Sequence, residues 1–177
     1  MAKAKPGELF YASGFPAAQV ATEILKKEAG VNIVHVPYKG AAPAQTAAVA
    51  GEVAVIMSSL GPLRAHLQSG KLRGLAVTSS ERYAIIPDIP TMAESGLADV
   101  DVVPWTGLFA PAGTPRAIID RLNSDLAVVL NLEELKERFG ATGVNLSANS
   151  PAELGALQKA DIAKWVKRVN DLKLPVK

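Results

Sequence analysis

Cysteine is absent from the 177 residues, and histidine occurs only twice, as His35 and His66. The missing cysteines exclude disulfides, thiolate zinc sites and a cysteine nucleophile. Two histidines are too few for a multi-histidine metal site. We therefore predict no metal site and no cofactor.

Aromatic residues are scarce, and neither sign of charge dominates. Aromatics make up 5% of the chain, and 19 basic residues face 17 acidic ones, for a net charge of +2. A nucleic-acid surface usually needs a cluster of lysine and arginine, and the basic residues here are well mixed with acidic ones. We predict no nucleic-acid partner, and we interpret the recurring basic residues of the C-terminal helix as a solvated face.

Long apolar runs are also missing, since no stretch approaches the roughly 20 residues of a membrane-spanning helix. Residues 1–7 carry charge but no apolar segment, so they do not form a signal peptide. If Met1 is the true start, we expect the chain to stay in the cytoplasm. Hydrophobic residues make up 49% of the sequence, which is enough for a sizeable core.

Short apolar runs alternate with helix-forming segments through the first 80 residues, which favours an α/β fold with a mostly parallel sheet flanked by helices. The predicted strands cover 8–12, 31–36, 53–57 and 72–78. The predicted helices cover 17–29, 40–50 and 61–70.

The pattern changes after residue 80. A proline-punctuated loop spans 86–96, where Thr91 and Glu94 have capping-box spacing before a small helix. Two strands are predicted at 100–103 and 105–110. Helices follow from the N-cap Thr114, over 131–139, and from Ser150, whose partner Glu153 predicts a second capping box.

Polar turns follow each of the four predicted strands. In a parallel sheet these turns lie beyond the carboxyl ends of the strands, where ligands of open α/β sheets bind. Hydroxyls and helix-start N–H groups suit an anion. A serine hydrolase using Ser58 and His66 is the enzymatic alternative, but no Gly-x-Ser-x-Gly elbow is present and a helix separates the two residues.

Five ordered motifs go beyond this general pattern. They are VHVPYKG at 34–40, AP at 42–43, GKLRGLAVTS at 70–79, IPTMAESG at 89–96 and WTGLFAPAGTP at 105–115. With these motifs the chain resembles the Bug family, the periplasmic solute-binding receptors of tripartite tricarboxylate transporters. The match runs from about residue 3 to the end.

The resemblance implies a two-lobed receptor that is not an enzyme, captures small carboxylates and delivers them to membrane permease subunits. It implies a periplasmic-binding-protein type II-like lobe over 8–103, and a crossover strand with a helical C-terminal tail over 104–177 that returns to the first lobe. It also implies a periplasmic location. The predicted ligand-binding residues are Ser13, Gly14, Tyr38, Gly40, Ser58, Ser59, Thr78 and Trp105.

The chain departs from the family in three ways. The family carries a longer segment before the part that matches residues 2–7, including the signal peptide and a glycine-rich ligand loop. The turn after the first strand is shortened here, with Phe15 and Pro16 in place of small polar residues. Ala54 and Ser58 stand where members commonly have aspartate, which argues against amino-acid ligands.

One alternative stays open for Tyr38, and another stays open for the whole chain. Tyr38 either lines the ligand cleft or is a buried ring beneath the following helix, and we interpret His35 as a structural histidine within its strand. Half a cleft should lose most of its affinity. The rival hypothesis is therefore a degenerate homologue that binds no ligand and acts as an orphan or self-associating module. Self-association would use the C-terminal helices.

Overall fold

A computed structural model describes residues 2–174. It divides into two units, with the boundary between Pro104 and Trp105. The first unit contains all the strands of the described chain, and the second contains three helices. We describe each unit by itself.

The first unit is built on a three-stranded parallel sheet in the order β2-β1-β3. The strands are β1 (Phe10–Ser13), β2 (Val34–Pro37) and β3 (Val55–Ile56). Tyr11 on the central strand pairs with His35 on one side and with Val55 on the other. The prediction of a parallel α/β arrangement is confirmed, although β3 is shorter than the predicted strand at 53–57.

Three helices follow these strands, close to the predicted positions: α1 (Pro16–Ala29), α2 (Ala41–Ala50) and α3 (Leu60–Gln68). Pro16 occupies the start of α1, where its missing N–H costs no intrahelical hydrogen bond. Helix α1 ends at Gly30 (φ 61°) and α2 at Gly51 (φ 79°). Both glycines adopt the left-handed conformation that closes a helix.

The two faces of the sheet are covered by different helices. On one face, Ala12 packs with Ala44 and Ala47 of α2 and with Val53. Alanine side chains let this helix approach the sheet closely. On the other face, the fully buried Tyr11 meets residues of α1. The sheet is therefore buried on both faces, as a parallel sheet requires.

The predicted fourth strand at 72–78 is wrong. Within residues 2–174, that run forms a single bridge, between Val77 and Thr91. The segment opposite Val77 contains Pro87 and Pro90, which lack the N–H groups that a longer ladder needs. Gly74 weakens the run further, because a strand-interior glycine has no side chain to pack.

The strands predicted at 100–103 and 105–110 are also wrong, because the structure assigns no strand to either segment. Val100 and Val102 are nevertheless buried. The Thr78 hydroxyl donates to the Val102 carbonyl at 2.7 Å. This side-chain contact, rather than a ladder, holds the segment in place.

The capping box at Thr91 is confirmed, but it closes a turn and not a small helix. The Thr91 N–H donates to a Glu94 carboxylate oxygen at 2.7 Å, and the Glu94 N–H donates to the Thr91 hydroxyl at 3.0 Å. Arg82 Nε donates to both carboxylate oxygens of Glu94, at 3.1 and 2.9 Å. This loop is thus fixed by three side chains.

The second unit contains α4 (Arg116–Leu130), α5 (Glu133–Gly140) and α6 (Pro151–Asp171). The capping box of α6 is confirmed, with reciprocal hydrogen bonds between Ser150 and Glu153. The N-cap prediction for Thr114 is wrong. Pro115 takes that position in α4, and the Thr114 hydroxyl donates to the Pro111 carbonyl at 2.8 Å instead.

Candidate functional site

The turns after β1, β2 and β3 lie at the same edge of the first unit. Their strands are parallel and in register, so the carboxyl ends meet there. The helix after β1 covers one face of the sheet, whereas the helix after β2 covers the other. In open α/β sheets, ligands bind at the edge where the helices after neighbouring strands go to opposite faces.

Gly14 and Gly40 bring two of these turns into direct contact. A Cβ atom built on Gly14 would overlap the Gly40 carbonyl group and lie 2.6 Å from the Ala41 nitrogen. The Tyr38 N–H donates to the Ser13 carbonyl at 2.9 Å, which ties the same turns together. Only glycine permits this backbone approach at position 14. Four of the predicted site residues therefore come together.

Three helices begin at this edge without a side-chain cap. The N-cap residues Phe15 of α1, Gly40 of α2 and Ser59 of α3 make no capping hydrogen bond, and no acidic residue lies in the first turn of any of the three helices. Helix α4 is also uncapped, whereas α6 has a complete capping box. Uncapped N-termini present N–H groups and a partial positive charge, which together favour an anion.

The Ser13 side chain is buried and hydrogen-bonds within the protein. Its hydroxyl oxygen lies 2.6 Å from Nε2 of His35, and only 5% of the residue is exposed. The His35 ring stacks on Tyr11 with centroids 4.8 Å apart. Burial lowers the pKa of His35 by more than the nearby Glu23 carboxylate raises it. The interpretation of His35 as a structural histidine agrees with these contacts.

Sequence reasoning missed the α1 side of this cluster. The Tyr11 hydroxyl donates to Glu23 at 2.6 Å, and Lys26 Nζ lies 2.8 Å from the same carboxylate. Burial of Tyr11, together with its hydrogen bond to Glu23, raises the pKa of the phenol well above its usual range. The two-residue period of a strand was a sequence signal for this grouping, because it places Tyr11 and Ser13 on the same face of β1. We define the Tyr11 cluster as Tyr11, Ser13, Glu23, Lys26 and His35.

The turn after β3 is held by a residue that the motifs did not single out. Gln45 of α2 is 9% exposed, and its side-chain nitrogen donates to the Ser58 hydroxyl at 2.9 Å. Ser58 is half-buried and Ser59 is exposed. The only sequence signal was a glutamine within a nearly all-apolar helix, where a buried amide needs a partner.

The remaining predicted site residues have other contacts. Tyr38 is half-buried and packs against the cluster of Ala12 and Ala44, in agreement with the buried-ring alternative. The Thr78 hydroxyl donates to the Val102 carbonyl. Trp105 belongs to the second unit, where its indole N–H donates to Asp161 at 2.9 Å. Their roles as ligand contacts stay predictions.

Within residues 2–174, no group of three or more histidine, aspartate or glutamate side chains is arranged to hold a metal ion. No helix in the same range has the length and apolar character needed to cross a bilayer.

Comparisons with known sequences agree with the motifs. The family model described as "Tripartite tricarboxylate transporter family receptor" matches residues 1–174. A protein from the tcbD-tcbE intergenic region of Pseudomonas sp. (strain P51) is 33% identical over 98% of this chain and 52% of its own length. BugT of Bordetella pertussis is 33% identical over 92% of this chain and 51% of its own length.

Solved structures extend the similarity to the fold. R. palustris Rpa4515 with adipate superposes with a TM-score of 0.89 at 31% identity, covering 97% of this chain and 58% of that protein. MatC (Rpa3494) from Rhodopseudomonas palustris with bound malate gives a TM-score of 0.76 at 28% identity, covering 92% of this chain and 57% of that one. The fold is therefore that of periplasmic binding proteins.

The chain spans about half the length of the curated relatives it matches. Over that half, the family model covers both structural units, from the first strand to the end of α6. The parallel sheet with helices on both faces has the same fold as the solved relatives. This chain belongs to the tripartite tricarboxylate transporter receptor family, whose members are solute-binding proteins.

Proposed function

We propose that this chain forms part of a periplasmic receptor that binds small organic carboxylates and passes them to the permease of a tripartite transporter. In this proposal, residues 8–103 are the second lobe, and residues 104–177 are elements that return to the first. The observation that carries it is the meeting of three uncapped helix starts around the Gly14–Gly40 contact.

Charge and hydrogen bonding support a carboxylate as the ligand. Main-chain N–H groups at the starts of α1–α3 can each donate to an acceptor, and a carboxylate offers only acceptors. Each of these helices has one proline in its first turn, Pro16 in α1, Pro43 in α2 and Pro62 in α3, so each lacks one donor and the remaining first-turn N–H groups carry this role. The adipate and malate named for the solved relatives are dicarboxylates of the size we propose.

Isothermal titration of the chain with adipate and malate tests this function. The neutral diamides of both acids are matched controls, because they keep the length and remove the charge. We expect binding of at least one acid, weakened by added salt, and measurably weaker binding of its diamide. Equal heats for acid and diamide, or no binding at millimolar ligand, would contradict the proposal.

A second candidate is a self-associating module without a ligand, and one observation favours it. Large apolar side chains on two helices of the second unit are about half exposed: Ile118 and Leu122 of α4, and Ile162 and Val166 of α6. Each pair is spaced i, i+4, so each forms a stripe on its helix. Apolar stripes of this kind usually mark an interaction surface.

Sedimentation velocity over a range of concentrations tests this alternative. Ile162→Glu should shift an associating chain towards monomer, because a charge in an apolar interface is desolvated without a partner. Ala160→Glu adds the same charge at an exposed position on the opposite side of the helix and is the control. A chain that is monomeric at every concentration would rule this function out.

A further inference from the structure

Gln45 and Ser58 form a polar contact between α2 and the turn after β3. Gln45 lies on the buried side of α2, next to Ala44, and is more than nine-tenths buried. Its side-chain nitrogen lies 2.9 Å from the Ser58 hydroxyl oxygen. Leaving a buried amide without a partner destabilises the folded state, so this contact holds the turn to the helix.

The direction of this hydrogen bond determines what Ser58 can offer. A serine hydroxyl has one hydrogen and two acceptor lone pairs. Because Gln45 donates to the oxygen, the Ser58 hydrogen remains available for another acceptor. A reversed amide would accept that hydrogen and leave Ser58 with lone pairs only.

Ser58 is half-buried and directly follows β3 at the carboxyl edge of the sheet, next in sequence to the N-cap Ser59 of α3. A hydroxyl with its hydrogen free at this position suits a carboxylate, which only accepts. Glutamine at position 45 therefore leaves the Ser58 hydrogen free to donate.

We infer that Gln45 is a positioning residue that directs the Ser58 hydroxyl to donate to a ligand carboxylate, an interaction that is stronger with the charged acid than with the carbonyl of its neutral amide. This inference rests on the proposed function. Gln45 itself does not need to touch the ligand, since its effect passes through Ser58.

Titration with adipate and its diamide, in three variants, tests this role. Gln45→Met keeps the length of the side chain but cannot donate, and Ser58→Ala removes the hydroxyl. We expect Ser58→Ala to weaken adipate binding roughly ten-fold, because a hydrogen bond to a charged group is lost. Gln45→Met should weaken it about three- to ten-fold, and the double variant should lose no more than Ser58→Ala alone.

The ratio of affinities for acid and diamide separates positioning from a merely structural role. A loosened turn would weaken both ligands equally, whereas a Ser58 hydroxyl that is no longer aligned loses a strong hydrogen bond to the charged acid but only a weaker one to the neutral diamide. We therefore expect the acid-to-amide ratio to fall in Gln45→Met. Thr46→Ala is the control, because Thr46 is exposed on the same helix and its hydroxyl donates only within α2.

The outcomes distinguish this role from the proposed function. Wild-type protein that binds adipate, with Gln45→Met matching it in affinity and in ratio, would overturn the role of Gln45 alone. Equal losses for acid and diamide would also overturn it, in favour of a structural role. Wild-type protein that binds neither adipate nor malate would overturn the proposed function, and the role of Gln45 with it.

Discussion

Tyr11 and His35 lie opposite each other on neighbouring parallel strands, with ring centroids 4.8 Å apart and ring planes inclined by 24°. This stack is the centre of the Tyr11 cluster, which links β1 to α1 directly beneath the turn at Ser13. The cluster is polar, yet none of the buried side-chain nitrogen and oxygen atoms in residues 2–174 lacks a hydrogen-bond partner. The turn at the candidate site therefore lies above a cluster whose buried polar atoms are all hydrogen-bonded.

Tyr11→Phe should destabilise the first unit by about 1.5 to 3 kcal/mol, because the phenol donates to a carboxylate in a buried setting. Glu23 would keep its contact with Lys26. Urea denaturation monitored by circular dichroism measures the change. Tyr83→Phe removes the same hydroxyl from a half-buried site outside the cluster. Equal losses in the two variants would contradict this role of Tyr11.

The stability of the first unit should fall as the pH drops from 7.5 towards 5.5. Burial lowers the pKa of His35, more than Glu23 raises it, and Lys26 lowers it further. The unfolded chain therefore binds more protons at pH values between the folded pKa and about 6.5, so the free energy of unfolding rises with pH across that window.

Denaturation of wild type and His35→Gln at pH 5.5, 6.5 and 7.5 checks this sign. One proton gives at most about 1.4 kcal/mol per pH unit, and solvent screening keeps this half-buried ring well below that limit. The wild-type slope should be positive, and the slope of His35→Gln should be flatter. A steeper slope in the variant would show that His35 is not the group responsible.

Gly14→Ala should separate the turns after β1 and β2, because its methyl group would overlap the Gly40 carbonyl. We expect a loss of roughly 1 to 3 kcal/mol in stability, as for other forced overpacking, together with weaker carboxylate binding. Gly155→Ala is the control, since nothing lies within 4 Å of its added methyl group. Unchanged stability and affinity in Gly14→Ala would mean that the two turns can move apart freely.

Glu94→Gln should loosen the loop around Thr91. Arg82 and the Thr91 N–H lower the pKa of Glu94, so the loop keeps these contacts above the ordinary carboxyl pKa and loses them as the pH falls through the lowered value. Amide hydrogen exchange at Thr91 should speed up in the variant at pH 7. Glu81→Gln, at an exposed glutamate next to Arg82, should leave that rate unchanged.

Ser150→Ala should cost α6 about 1 kcal/mol, because the N-cap hydroxyl accepts a hydrogen bond from the Glu153 N–H. Faster amide exchange in the first turn of α6 would report the loss. Ser147→Ala changes an exposed serine just before the helix and is the matched control. Similar exchange in both variants would show that the capping box contributes little.

Local signals were sufficient for most of the fold. The start of α6 was predictable from Ser150, Pro151 and Glu153, since a capping box depends only on residues three positions apart. The glycine ends of α1 and α2 are equally local. The family motifs added the order of the elements, because they span both structural units.

The wrongly predicted strands have a common cause, because a strand forms only where it has a hydrogen-bonded partner strand. The run at 72–78 has strand composition, but it faces a segment with Pro87 and Pro90 and forms one bridge. The contact between Gln45 and Ser58 also could not be predicted from sequence, because it depends on how α2 lies against the sheet. The turns of the candidate site could be predicted from sequence, whereas the hydrogen-bond partners of their side chains could not.

The central strand of the sheet is also the first one in the sequence. Both edges of β1 are paired only after β2 and then β3 have been made, so this strand depends on contacts made far along the chain. Such long-range pairing slows folding. During synthesis, one edge of β1 would stay unpaired until Val55 has left the ribosome, and an unpaired strand edge exposes the nascent chain to aggregation.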